Sequence, residues 1–202
     1  MVNRTETTRA PAPPEAAAVT SGATALRSTG AGIGPARAGS PSAFDVVGAV
    51  VDPELPVVTL AELGIVREVA ETDDGVVVTI TPTYSGCPAM ETIRDDIVRA
   101  VDGAGLGRAH VRTVLAPAWT TDWISESGRA KLAAAGIAPP GAAPRRGAGP
   151  VPLVLGVRQE PVACPQCGHA ESERLAAFSA TACRELRRCL ACREPFEHVK
   201  EI

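Results

Sequence analysis

The sequence predicts an α+β protein, in which a small two-layer α/β domain is followed by a β module of the zinc-ribbon type. Three observations predict it. Helical and strand periodicities alternate over residues 43–137, two Cys-x-x-Cys pairs stand near the carboxyl end, and a Pro-, Gly- and Ala-rich stretch separates them. The implied organisation is a disordered tail over 1–42, the α/β domain over 43–137, a linker over 138–159 and the ribbon over 160–202.

The tail is Ala, Pro, Thr, Ser and Gly with scattered arginines. It has no period, and it would bury too little apolar surface to offset its ordering entropy. Order is expected from Ser42, which can cap a helix carrying Phe44, Val47 and Val51 and ending before Pro53. Thr59 and Glu62 have capping-box spacing for a short helix that Gly64 stops. Ile65 to Glu71 alternates as a half-buried strand does. Asp73-Asp74-Gly75 is a hairpin turn, and Val76 to Thr81 is the return strand. Pro88 suits the first position of a helix, and Met90, Ile93, Ile97 and Val101 form its apolar stripe. A third strand is expected over 109–115. A last helix, capped by Asp122, would carry Ile124, Leu132 and Ala135 and close at Gly136. Residues 151–157 are apolar and read as a strand leading into the ribbon.

Composition narrows the function classes. Of 202 residues, 45% are hydrophobic and only 3% aromatic, so the core must be built from Val, Leu, Ile and Ala. The formal charge of −3 gives no general attraction for nucleic acid or an anionic membrane. No apolar run is long enough to span a bilayer, and no apolar segment follows Arg4 and Arg9 as in a secretory signal. A cytosolic protein is expected, and there six cysteines read as metal ligands or reactive thiols before disulfides.

Cys164-Pro-Gln-Cys167-Gly and Cys189-Leu-Ala-Cys192 are separated by 21 residues. Two such knuckles can converge on one tetrahedral Zn²⁺, with an iron centre as the second choice. Gly168 frees the backbone to turn toward sulfur. A segment this short has too little core to fold alone, and a metal supplies the missing free energy, of order 10 kcal/mol or more. Four thiolates leave no open coordination position, so the ion is expected to be structural. Residues 160–202 carry six basic and seven acidic side chains, a poor balance for a phosphate-binding surface. His169 and His198 are expected at the surface, since the four cysteines fill the site.

Cys183 lies between the pairs. It is either a small buried residue or a spare thiol able to contact a second metal. Cys87 stands where a loop meets a helix start. Unsatisfied backbone N–H groups there would stabilise a thiolate and lower its pKa, whereas the plainer alternative is a cap or core filler. Asp52-Pro53-Glu54 reads as a helix stop with two solvated carboxylates. No acid/base pair at useful spacing, phosphate-cradling loop or open metal site suggests an enzyme. Trp119 and Trp123 read as core or interface anchors.

Residues 44–115 resemble the domain family linked to iron–sulfur cluster assembly that includes SufT-like proteins. Asp52-Pro-Glu54, Leu63-Gly-Ile-Val66 and Thr81-Pro-Thr-Tyr-Ser-Gly-Cys-Pro88 carry the resemblance. It implies a candidate iron or cluster site of Asp52, Thr81, Thr83 and Cys87, with Tyr84 replacing a second threonine. Residues 43–202 resemble more closely the PaaD family, an accessory component of bacterial phenylacetyl-CoA epoxidase systems. The matching pieces include Trp119-Thr-Thr-Asp-Trp-Ile124, Gly128-Arg-Ala-Lys-Leu132, Gly136-Ile-Ala-Pro-Pro140, Thr181-Ala-Cys183 and Cys192-Arg-Glu-Pro-Phe196. His198-Val199 departs from a more aromatic pair.

What this resemblance implies is an accessory, non-catalytic role in aerobic phenylacetate breakdown. The factor would mature or maintain a metal centre, with structural Zn²⁺ in the ribbon and transient iron or an iron–sulfur cluster at Cys87. The implied partners are the other epoxidase subunits, above all the iron–sulfur reductase, or a second protomer in a homodimer. The alternatives are a structural subunit of the epoxidase complex and a nucleic-acid-binding ribbon, the latter disfavoured by charge.

Overall fold

In the computed structural model the described residues are 41–143 and 161–202. The architecture is α+β. The expected strand over 151–157 and the tail up to residue 40 lie outside the described residues.

Ser42 caps helix α1 (Ala43–Gly48) through a reciprocal pair of bonds with Asp45. Its hydroxyl accepts from the Asp45 N–H at 3.1 Å, and the Asp45 carboxylate accepts from the Ser42 N–H at 3.1 Å. Thr59 and Glu62 make the same exchange, but they close a single turn and not the expected helix. Gly64 ends that turn at φ 69°, where a Cβ would stand 2.6 Å from the Cβ of Trp123. Only glycine fits there, so the turn can press directly against the segment that carries the tryptophan.

Strand β1 (Val66–Thr72) pairs antiparallel with β2 (Gly75–Ile80) through the two-residue turn Asp73-Asp74. Helix α2 (Met90–Gly103) then crosses to β3 (Ala109–Thr113), which runs parallel to β2 and completes a three-stranded sheet. Such a crossover is what a parallel pair requires. The α2 stripe meets the sheet as its spacing demands. Ile93, Ile97 and Val101 are buried and pack with Val47, Val76, Val78 and Ile80. Each such side chain contributes about 1.5–3 kcal/mol of burial.

The last helix differs from expectation at its start. Thr120, not Asp122, caps a single 3₁₀ turn (Thr121–Trp123), and Ser125 caps α3 (Glu126–Ala134) by accepting from the Gly128 N–H at 3.0 Å. This segment is fastened to the Thr59–Gly64 turn. The Trp119 indole donates to the Leu63 carbonyl at 2.8 Å, the Ser125 N–H donates to the Glu62 carbonyl, and Lys131 pairs with the Glu62 carboxylate.

Gly136 turns the chain into β4 (Ile137–Ala138), which joins the second sheet. There β5 (Ser172–Ala176), β6 (Arg184–Cys189) and β7 (Pro195–Val199) form an antiparallel meander, and β4 lies parallel to β7, giving the order β4-β7-β6-β5. The small core of this sheet is Ala138, Val162 and Phe196 with two of the cysteines, whereas Val199 at the end of β7 belongs to the core of the first domain.

His198 is not at the surface as expected. It lies on a central strand, only 2% exposed, with Nδ1 3.0 Å from Glu185 and Nε2 3.3 Å from Glu201. The topology explains this, because β4 covers one side of β7 and β6 the other. Among the described residues no helix is long and apolar enough to cross a membrane.

The hydrogen bond from His198 draws the Glu201 carboxyl down to about 2 against the opposing effect of burial, with help from the Gly141 N–H. A carboxyl whose folded pKa lies below its ordinary 4.5 stabilises the fold above that value and loses this contribution as pH falls toward 2. Glu201→Gln should therefore cost up to about 1 kcal/mol at neutral pH after allowance for solvent screening. It should also flatten the acid limb of thermal stability below pH 4.5, read by unfolding scans across pH.

Candidate functional site

Two sites emerge, and each cysteine belongs to one of them. The first is the set Cys164, Cys167, Cys189 and Cys192, whose sulfurs all lie within 4.8 Å of one another. The Cys164–Cys192 separation is 3.7 Å and Cys167–Cys189 is 3.6 Å. A tetrahedral ion with bonds of about 2.3 Å needs sulfurs roughly 3.8 Å apart, so the residues fit one divalent metal.

The two knuckles repeat the same local fold. The Cys164 N–H donates to the carbonyl of His169, and the Cys189 N–H donates to that of Glu194, each five residues on. After the second cysteine of each pair the backbone turns left-handed, at Gly168 (φ 73°) and at Arg193 (φ 65°). Burial raises the Cys189 thiol, but the N–H groups of Cys192 and Ala191 and the adjoining thiols outweigh it and bring it to about 6. The Glu194 N–H favours the Cys192 thiolate, yet desolvation and three thiol neighbours push it up to about 12. Four crowded sulfurs do not all ionise unaided, and a dication supplies the missing charge.

The second site is built by the first domain and finished by the ribbon sheet. An isolated bridge between Val51 and Thr59 closes the loop that holds Asp52. Asp52 Oδ1 accepts from the N–H groups of Glu54 and Leu55 at 2.9 and 2.8 Å, a turn that folds across Pro53. On the facing side, the loop after β2 brings Thr83 and Cys87 forward, and the Cys87 N–H donates to the Tyr84 carbonyl at 3.0 Å. Asp52, Glu54, Thr83 and Cys87 wall one pocket, about 30 Å³ of which is open to water. Cys183 lines the same pocket from the ribbon sheet, over an apolar floor that includes Ile65, Ile93 and Val199.

Thr81 does not reach this pocket wall. It is buried at the end of β2, where its N–H donates to the Ile65 carbonyl and its hydroxyl has no hydrogen-bond partner among the described residues. Asp52 is 6% exposed, so the expected pair of solvated carboxylates is instead one buried and one half-buried carboxylate. Burial raises Asp52 against the opposing N–H groups of Leu55 and Glu54 and the charge of Arg184. Burial and the Asp52 charge raise Glu54.

Cys87 also departs from expectation. Burial pushes its thiol up and outweighs the Ala89 N–H, while Glu54, Asp52 and Cys183 add to the rise. Helix α2 begins only at Met90, so Cys87 stands outside its first turn and gains one amide in place of a full set. Glu54 lies in the Asp52-Pro-Glu54 motif but reads there only as a solvated carboxylate, and Arg184, whose charge acts on both carboxylates, carries no mark in the sequence. Cys183 is marked in the sequence as a thiol outside the Cys-x-x-Cys pairs and by the Thr181-Ala-Cys183 piece of the resemblance.

Comparison with known proteins agrees with both halves. The sequence pattern of the family described as "Iron-sulfur cluster assembly protein" matches residues 44–114, and that described as "PaaD zinc beta ribbon domain" matches residues 149–200. A protein of Escherichia coli (strain K12), named as the D component of a 1,2-phenylacetyl-CoA epoxidase, is 39% identical over 153 residues, 76% of this chain and 87% of its own. The Fe-S protein maturation auxiliary factor YitW of Bacillus subtilis (strain 168) is 36% identical over 85 residues, 41% of this chain and 82% of its own. A crystal structure of a domain of unknown function from Bacillus anthracis covers 45% of this chain and 87% of its own, with 28% identity and a TM-score of 0.41.

Two outcomes are expected of the four-cysteine site. Stripping the metal with a strong chelator should release one divalent ion per chain and abolish the β5–β7 amide protection seen in hydrogen exchange, while α2 stays protected. Arg193→Gly should relieve a left-handed backbone that costs a non-glycine residue about 1 kcal/mol or more, and so slow metal loss to the chelator.

Proposed function

The chain belongs to the PaaD family, and on that premise we propose that it is an accessory factor of a phenylacetyl-CoA ring-epoxidase system that matures or maintains an iron–sulfur or related metal centre. The observation that carries this is the pocket at Cys87. A thiol, two carboxylates and a hydroxyl line one small space at the end of the first sheet, groups that can bind a metal ion. The name of the Bacillus subtilis relative, a maturation auxiliary factor, points the same way. Iron or a cluster is cargo in this scheme.

The four ribbon cysteines would hold a structural Zn²⁺. All four ligand positions are taken by protein thiolates, so that ion supplies folding energy and no reaction centre. The chain's own residues divide the work at the second site. Cys87 binds the cargo through sulfur after losing its proton. Asp52 and Glu54 keep negative charge beside it, and Thr83 completes the wall. The raised Cys87 thiol keeps it protonated and unreactive until a metal competes for the sulfur. The partner favoured is the system's iron–sulfur reductase.

A structural role in the epoxidase complex is the second possibility. It is favoured by apolar side chains left open on the ribbon sheet, with Phe178 65% exposed and Leu175 and Leu190 exposed as well. One variant separates the two. In cells carrying Cys87→Ser, maturation predicts reductase with a markedly lower iron–sulfur content but an intact epoxidase assembly. Unchanged cluster content together with unchanged epoxidase activity would reject maturation and leave the structural role.

A further inference from the structure

We infer that Cys87 and Cys183 form a two-thiolate site for one iron, taken either as the free ferrous ion or as one iron of a sulfide-bridged cluster. The inference rests on the proposed metal-handling role of the Cys87 pocket and adds the second sulfur, from the other sheet. Two adjoining depressions are each walled by both cysteines, together with Glu54 and Thr83. The two cysteines therefore border the same space from opposite modules. Neither is in a disulfide, and neither belongs to the four-thiol set.

Cys183 is held in place by its surroundings. Its carbonyl accepts from the Lys200 N–H at 3.0 Å, and its sulfur lies 3.0 Å from the Thr181 hydroxyl. Arg184 donates from its backbone and from Nε to Thr181, at 3.3 and 3.1 Å, and its guanidinium pairs with Glu197 on β7. A loop pinned by this many bonds presents its thiol in one direction. Cys87 is likewise fixed between the Tyr84 turn and the start of α2. Ligands fixed before the metal arrives lose little freedom on binding, which favours capture.

The donor chemistry narrows the occupant. Two thiolates beside carboxylates disfavour magnesium and calcium and suit ferrous iron, zinc or a cluster iron, of which the proposed metal-handling role favours iron. About 30 Å³ open to water holds one ion with little else. A cluster would meet the pair through one iron at the mouth. Binding of Fe²⁺ to the two thiols forms two Fe–S bonds and releases two protons, and no electron is transferred.

The test uses the full chain, with zinc content first verified at one per chain so that the ribbon site is filled. Wild type, Cys87→Ser, Cys183→Ser and Cys183→Ala are titrated with ferrous ion without oxygen. In a second arm they receive ferrous ion and sulfide together. Iron bound per chain and iron–sulfur bonds counted by X-ray absorption are the readouts. Wild type should bind one iron through two protein sulfurs in the first arm, the second, or both; iron–iron scattering in the sulfide arm identifies the cluster form.

Each Cys183 variant should lose one iron–sulfur bond and bind at least about tenfold more weakly, with zinc still at one per chain. If Cys183→Ser and Cys183→Ala match wild type while Cys87→Ser loses the iron, the pairing is wrong and the Cys87 site survives. If no variant differs from wild type, or wild type takes up no iron in either arm, both fall.

Discussion

The meeting of four sulfurs at one end of the second sheet is the constraint on which the other features depend. Three apolar residues and two of the cysteines make up the small core that this sheet buries for itself. Without an ion joining the knuckles, β5, β6 and β7 would have little to hold their register against chain entropy. The strands are also what place the Cys183 loop and carry Val199 into the first domain. A purely structural metal would thus govern the geometry of a pocket that contains none of its ligands.

The joint between the modules is a second consequence of that arrangement. Val199 packs in the first core, the buried Thr121 donates its N–H to the Ile202 carbonyl at 3.2 Å, and β4, which follows α3, pairs with β7. Each is a buried polar or apolar contact that would cost more if broken than an exposed ion pair. The pocket at Cys87 lies at this joint, and Arg184 on β6 acts electrostatically on both Asp52 and Glu54.

Local chemistry in the sequence foretells much of this. Ser42 with Asp45, the Asp73-Asp74-Gly75 turn and the α2 stripe are patterns of adjacent or periodic residues, and they appear where their spacing puts them. The cysteine pairs are legible for the same reason, since a knuckle is a local fold. What is not legible depends on who packs against whom. Asp52 looks solvated because nothing nearby in sequence reveals the loop and ribbon residues that cover it. His198 looks superficial because the burial of its strand comes from β4, which the sequence does not mark as a partner. The Cys87 thiol looks lowered because the burial that raises it is not written near it in sequence, because Pro88 suggests a helix start two residues before the true one, and because its acidic neighbours come from another loop. The capping of α3 by Ser125 shows that, where several polar residues compete, the backbone geometry chooses among them.

The placement of β4 bears on how this molecule can be taken apart. Its two residues precede the stretch that separates the cysteine pairs from the first domain, yet they pair with the final strand. Cutting the polypeptide in that stretch would not yield two finished pieces. The carboxyl-terminal fragment would keep its ion but show a bare row of amides and carbonyls along β7, the kind of margin that recruits foreign strands. Gene fusions or transplants of the ribbon that begin after residue 138 would inherit that raw margin, whereas those that carry the preceding helix along would not.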